Sequence, residues 1–129
     1  LVSLPALFFG AIDQHRYEDV AALMAKDGAW HRQGNVLAGR DAVLEAMRQR
    51  NHDMATVHLV TNLIVEKRAG GATLTFHGIG LGYEGPKAQP YPMSGPAQIQ
   101  RYVAECVQED GGWKIAKMSS EVLFKKEPH

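Results

Sequence analysis

The sequence predicts an α+β domain, with helices packed on one face of a mainly antiparallel sheet. Three observations carry this. Helical apolar spacing occurs only ahead of Ala55, and long β-branched runs follow it. Two turn signals, Gly70-Gly71 and Asp110-Gly111-Gly112, each separate a pair of such runs and read as hairpins. Helices first and strands afterwards segregate the two, and the sheet must curl strongly for so short a chain to bury both layers.

The elements follow in order. Ser3 followed by Pro5 is a helix start, and Leu4, Phe8, Ala11 and Ile12 recur at helical spacing, giving a first helix from about Pro5 to His15. A second, short helix gathers Tyr17, Val20, Ala21, Leu23 and Met24, and Asp27-Gly28 ends it. Ala29 to Leu37 reads as a short strand around Trp30, closed by Gly39. Asp41 is the expected N-cap of a third helix that turns Val43, Leu44 and Met47 inward.

The run Ala55 to Glu66 turns at Gly70-Gly71 and returns from Ala72 to Tyr83. Gly78, Gly80 and Gly82 alternate along the return strand, and are expected opposite the face of His58, where they would let the sheet bend. Gly85 to Pro96 holds four of the six prolines, so it is a loop and is expected to act as a lid. The last hairpin runs from Ile99 to Gln108 and returns from Trp113 to Phe124.

Composition narrows the function. A chain of 129 residues fits one domain with a core that needs no disulfide. Lys plus Arg equals Asp plus Glu, at 14 each, so there is no basic field to bind nucleic acid or an anionic membrane. The single cysteine, Cys106, reads as a small buried hydrophobe and suits a reducing compartment, so the cytoplasm is expected. The apolar stretch Leu1 to Ile12 is too short to span a bilayer and lacks the basic start of a signal peptide. Leu1 rather than Met opens the chain, which leaves upstream residues open. No histidine pair has helical metal-binding spacing, and the strand glycines do not form a phosphate loop, so no metal or cofactor is expected.

The chemistry-bearing residue is His58. If Ala69 pairs with Ala72, the hairpin register sets His58 opposite Tyr83, at hydrogen-bonding range, with Asn62 on the same face. Histidine is the side chain whose ordinary pKa lies nearest neutrality, which suits a general base. The plainer alternative is a strand histidine satisfied by backbone or water. Tyr83 and Tyr102 could donate to a substrate carbonyl or be simple strand aromatics. Asn62 could orient a ligand or satisfy backbone. His77 falls opposite Ile64, roughly 20 Å along the strand from His58, as a wall or surface residue. His31 beside Trp30 is expected near a pocket mouth. His15, His52 and His129 are expected to be solvated, and Phe8, Phe9, Leu23, Met24, Trp30 and Met47 to form core, some of it pocket floor.

Several segments carry a family resemblance. Phe9-Gly10-Ala11-Ile12-Asp13, the run Tyr17 to Leu23, Asp27-Gly28-Ala29-Trp30, Gly39-Arg40-Asp41-Ala42-Val43 and Asp110-Gly111-Gly112-Trp113-Lys114-Ile115 stand in this order. Together they resemble the SnoaL-like branch of the nuclear transport factor 2 superfamily over nearly the whole chain, so residues 1–129 are expected to form one SnoaL-like domain. The resemblance implies a cone of curved sheet over helices with an apolar pocket inside. Its members include dehydratases, isomerases, polyketide cyclases and non-catalytic binders, and fold does not choose among them.

The site pattern is nearest to scytalone-dehydratase-like members, where a helix-one aspartate orients a strand histidine; these positions match Asp13 and His58. A second histidine of that pattern falls at Tyr83, an inward asparagine at Tyr102, and a pocket tyrosine near His31 or Arg32. Bile-acid-dehydratase-like members are similar in the aspartate–histidine pair. The carboxylate of ketosteroid-isomerase-like members falls near Ala104, which argues against that mechanism. The resemblance thus implies a cofactor-free dehydratase or isomerase for a small apolar cyclic hydroxy-ketone or a polyketide- or steroid-like compound. Asp13, His58, Tyr83 and Tyr102 would be its catalytic residues. Phe9, Trp30, His31, Asn62 and Met93 would bind substrate. The alternative is a ligand-binding or scaffold protein without turnover. A homodimer through the outer sheet faces, lined by Arg101, Glu105 and Lys117, is also implied.

Overall fold

The computed structural model describes residues 1–32 and 34–127. Helices α1 (Leu4–Asp13) and α2 (Tyr17–Ala22) lead into β1 (Met24–Arg32) and β2 (Asn35–Ala38). Helix α3 (Arg40–Arg48) follows, and then four long strands: β3 (Ala55–Arg68), β4 (Gly71–Tyr83), β5 (Gln98–Glu109) and β6 (Gly112–Lys125). Pro5 lies in the first turn of α1, where a missing N–H costs nothing. Gly39, at φ +88°, precedes α3, so Asp41 is not the N-cap but a first-turn residue whose charge favours the helix dipole.

One sheet contains all six strands, in the order β2-β1-β6-β5-β4-β3. Every pairing is antiparallel except β1 with β6. The sheet curls without closing and wraps the helices on its inner side. Phe8 and Ile12 of α1, Val20 of α2 and Val43 and Met47 of α3 are buried there against Leu74, Phe76, Ala104, Ile115 and Met118.

The second helix is shorter than its apolar spacing predicts. Leu23 and Met24 leave it because β6 claims them: the Ile115 N–H donates to the Leu23 carbonyl at 2.9 Å, and Met24 pairs with Ile115. Gly28, expected at a helix end, is instead buried within β1. A Cβ there would stand 2.6 Å from the Ile115 carbonyl oxygen, so the close approach of β6 requires the glycine. In the last hairpin, Asp110 and Gly111 both have positive φ, as a type I′ turn needs, and Glu109 pairs with Gly112.

The β3–β4 hairpin departs from the expected register. The turn residues are Ala69 and Gly70 (φ +81°), and Gly71 already pairs with Arg68. Further along, Asn62 and Leu63 together face one β4 residue, because Thr61 pairs with His77 and Ile64 with Thr75. This bulge adds a one-residue slip to the two-residue shift at the turn. His58 is therefore opposite Gly80, and Tyr83 is opposite Ala55.

Candidate functional site

Asp13 ends α1 and reaches β3. Its Oδ1 lies 2.6 Å from His58 Nδ1 and accepts the Thr56 hydroxyl at 2.8 Å, while Oδ2 accepts the His58 backbone N–H at 2.8 Å. Burial alone would raise the Asp13 pKa, but the hydrogen bonds and attraction from His58, with the Thr56 bond, outweigh it and hold the carboxyl below its ordinary value. An ionised carboxylate can only accept, so Nδ1 carries a hydrogen, and Nε2 is the nitrogen left for other chemistry. The Phe9 ring lies 5.2 Å from the imidazole, centroid to centroid, and fixes its other side.

His58 opens onto a cavity of about 580 Å³ on the inner face of the sheet. Phe9, Ile12 and Trp30 form its apolar floor, and Tyr102, Gln98 and Gln100 project from β5. The Tyr102 ring stacks on Phe76 at 5.1 Å and 10° and meets Phe9 edge-on at 5.1 Å. Burial pushes the Tyr102 phenol up to about 12, so at neutral pH it is a hydrogen-bond donor, not an anion. An adjoining lobe of about 690 Å³ shares His58 and Tyr102 and runs past Gly78, Gly80 and Gly82. These glycines thus share the face of His58, contrary to expectation, because the bulge moves β4 by one place. They clear space for the cavity.

Several expected site residues lie elsewhere. Tyr83 alternates with inward Gly82 and faces the outer side of the sheet. There its ring stacks on Tyr91 at 5.5 Å and its hydroxyl accepts the Lys87 N–H at 3.3 Å. This draws the proline-rich loop onto an outer groove, with Val57 and Leu59, instead of over the His58 cavity. Met93 lines that groove and is 80% exposed, so neither it nor the loop closes the cavity. Asn62 sits at the bulge with φ +56°, exposed, and its amide donates to His77 Nδ1 at 3.0 Å, so it leaves the face of His58. His31 alternates with inward Trp30 and pairs with Ser119 on the outward side. His15 and His52 are exposed beside Tyr17, and His129 lies outside the described residues.

Two arginines join the site: Arg32, near which the resemblance puts a pocket tyrosine, and Arg50, for which no role was expected. Arg32 and Arg50 both line the cavity, with Gln98 and Gln100. Inward Gln98, Gln100 and Tyr102 repeat at the strand period, which was a usable signal. Arg32 lies two places beyond Trp30 and places its guanidinium carbon 4.8 Å from that ring centre. Arg50 comes from irregular chain between α3 and β3 and has no periodic signature.

A family model described as a SnoaL-like domain matches residues 2–119. No curated protein matches the sequence significantly. Among solved structures, a Mycobacterium tuberculosis protein of unknown function is similar, with a TM-score of 0.78 at 23% identity, over 93% of this chain and 72% of that one. A hexachlorocyclohexane dehydrochlorinase, LinA type 2, superposes with a TM-score of 0.77 at 18% identity, over 96% of this chain and 83% of its own. A candidate scytalone dehydratase of Novosphingobium aromaticivorans does so with a TM-score of 0.75 at 19% identity, covering 98% and 83%. At these identities the likeness is one of fold.

Proposed function

The chain belongs to the SnoaL-like domain family, and from that premise we propose that it is a cofactor-free dehydratase or isomerase of small cyclic hydroxy-carbonyl compounds. The observation that carries this reading is the 2.6 Å hydrogen bond between Asp13 and His58 at the wall of a cavity large enough for one or two rings. Asp13 holds the Nδ1–H tautomer and stabilises the imidazolium. His58 Nε2 takes a proton from the carbon α to the substrate carbonyl. Tyr102 donates its hydroxyl hydrogen bond to the enolate oxygen as charge develops there. The imidazolium then returns the proton to the β-hydroxyl, which leaves as water and gives the conjugated enone. Where no leaving group is present, protonation at another carbon moves the double bond instead. Phe9 and Trp30 support the ring system from the floor.

The test is turnover of a panel of cyclic β-hydroxy-ketones, followed by enone absorbance. His58→Gln and Asp13→Asn should each lower kcat by about 10²–10⁴-fold while the fold persists by circular dichroism. If the wild type binds these ketones without turnover, and His58→Gln binds equally well, the chain is a ligand-binding protein.

The same reading includes a cytoplasmic homodimer joined through the outer sheet face. Val57, Leu59 and Ile64 are all about half exposed on that face, which supports a covered surface there. Arg101 pairs with Glu121 and Arg68 with Glu105 within the chain, so apolar contact rather than those charges would drive assembly. Sedimentation equilibrium of wild type against Leu59→Glu tests it. Among the described residues, no helix is long and apolar enough to cross a membrane.

A further inference from the structure

The cavity has an apolar floor but an unbalanced electrical wall. Two guanidiniums, Arg32 and Arg50, line the 580 Å³ lobe, and none of the residues lining that lobe is acidic. Among the described residues neither arginine forms an ion pair; the ion pairs engage Arg16, Arg40, Arg48, Arg68 and Arg101. Glu84 and Glu127 line the adjoining lobe, where the cations Arg50, Lys125 and Lys126 outnumber them. Asp13 is engaged by His58 and Thr56. Arg32 keeps one side exposed, yet partial desolvation first, and the like charge of Arg50 second, lower its pKa, so the two cations disfavour each other across the lobe.

A lone surface arginine needs no explanation, but two that line one cavity, neither in an ion pair among the described residues, suit a shared anion. The guanidinium fork matches a planar carboxylate with two parallel hydrogen bonds. Arg32 is also steadied by the Trp30 ring beneath it, so little ordering is needed when it takes a ligand. The Gln98 side chain accepts from Gln100 at 2.9 Å, which leaves its own amide hydrogens as further donors on the same wall.

We propose that the substrate is an organic acid: a cyclic body rests on Phe9 and Trp30 while its carboxylate is held between Arg32 and Arg50. This rests on the reading of the cavity as the substrate site, and it adds an anionic group to the largely apolar cyclic ligand expected from the sequence. The two arginines bind and position; the proton chemistry stays with His58.

Equilibrium binding separates the proposal from the catalytic reading. The probes are 2-naphthoate and its neutral isostere 2-naphthamide, titrated by Trp fluorescence or calorimetry, with 2-naphthyl phosphate as a third. Wild type should bind the carboxylate at least about tenfold more tightly than the amide. Raising the salt should shrink that preference. Arg32→Gln with Arg50→Gln should abolish it, weakening the acid far more than the amide, and Arg32→Lys alone should keep only part of it, because the fork is lost. His58→Gln should keep the full preference, so failed turnover does not touch this result. Equal binding of acid and amide, a preference that survives the double substitution, a stronger preference for the phosphate, or no binding of any probe at millimolar concentration would each overturn the proposal.

Discussion

The Tyr102 ring lies on the bare backbone of Gly78: a Cβ at that position would stand 2.7 Å from the tyrosine Cε2. The two residues are neighbours on the inner face of β4 and β5, where Phe76 pairs with Tyr102 and stacks on it. Gly78→Ala should therefore push the ring out of its stack and cost about 1–3 kcal/mol, the usual penalty of overpacking. Near-ultraviolet circular dichroism and thermal denaturation read the two effects. Gly80 is the internal control. A Cβ there lies 3.8 Å from His58 Cδ2, an ordinary contact, so Gly80→Ala should leave stability unchanged or slightly higher while narrowing the cavity. Equal stability losses in both variants would contradict this division of roles.

Asp13 ties α1 to β3 through three hydrogen bonds, and its carboxyl is held below the ordinary value of 3.8. A depressed carboxyl stabilises the fold fully above its unfolded value, and that contribution is lost as pH falls through the lower folded value. Asp13→Asn should thus cost about 1–3 kcal/mol at neutral pH. The gap between wild type and variant should not narrow on the way down to mildly acidic pH and should close only at strongly acidic pH. Urea denaturation at a series of pH values checks this. A gap that narrows between pH 7 and 5 would place the linkage on some other group.

Element types were legible because they depend on local chemistry. Pro5 near a helix start and Asp110-Gly111 between two strands are local signals, and both elements stand where those signals put them. The limits of α2 were not legible, because Leu23 and Met24 are captured by β6, more than 90 residues away. The site failed differently. One-for-one counting from an assumed turn carried Tyr83 to His58, whereas a shifted turn and one bulge move it three places and to the opposite face. The nearness of Asp13 to His58, 45 residues apart, has no local signature and entered only through family resemblance. Arg50 had none at all.

Cys106 is 1% exposed on the inner face of β5, and burial pushes its thiol up to about 11. Thiolate is the reactive form, so the native protein should resist a disulfide exchange reagent at pH 8 and react stoichiometrically once unfolded in guanidinium. Labelling that is fast without denaturant would mean that β5 opens readily, contrary to its central place between β4 and β6.

Asn62 stands at the bulge that fixes which β4 residues share the face of His58. It adopts φ +56° at the point where two β3 residues face one on β4. Asparagine tolerates this left-handed conformation better than other side chains, and glycine adopts it freely. A β-branched residue does not, so Asn62→Val should either strain the bulge, at about 1–3 kcal/mol, or drive β3 toward unbroken alternation. In the second case a one-place slip in the half of β3 before the bulge would swing His58 away from Asp13, since side chains alternate every residue. Asn62→Gly should keep both the bulge and the His58–Asp13 contact. The histidine Nδ1 proton, read by nuclear magnetic resonance, distinguishes these outcomes. If Asn62→Val retains wild-type stability and the downfield proton, the bulge is held by the rest of the sheet and not by the conformation of this one residue.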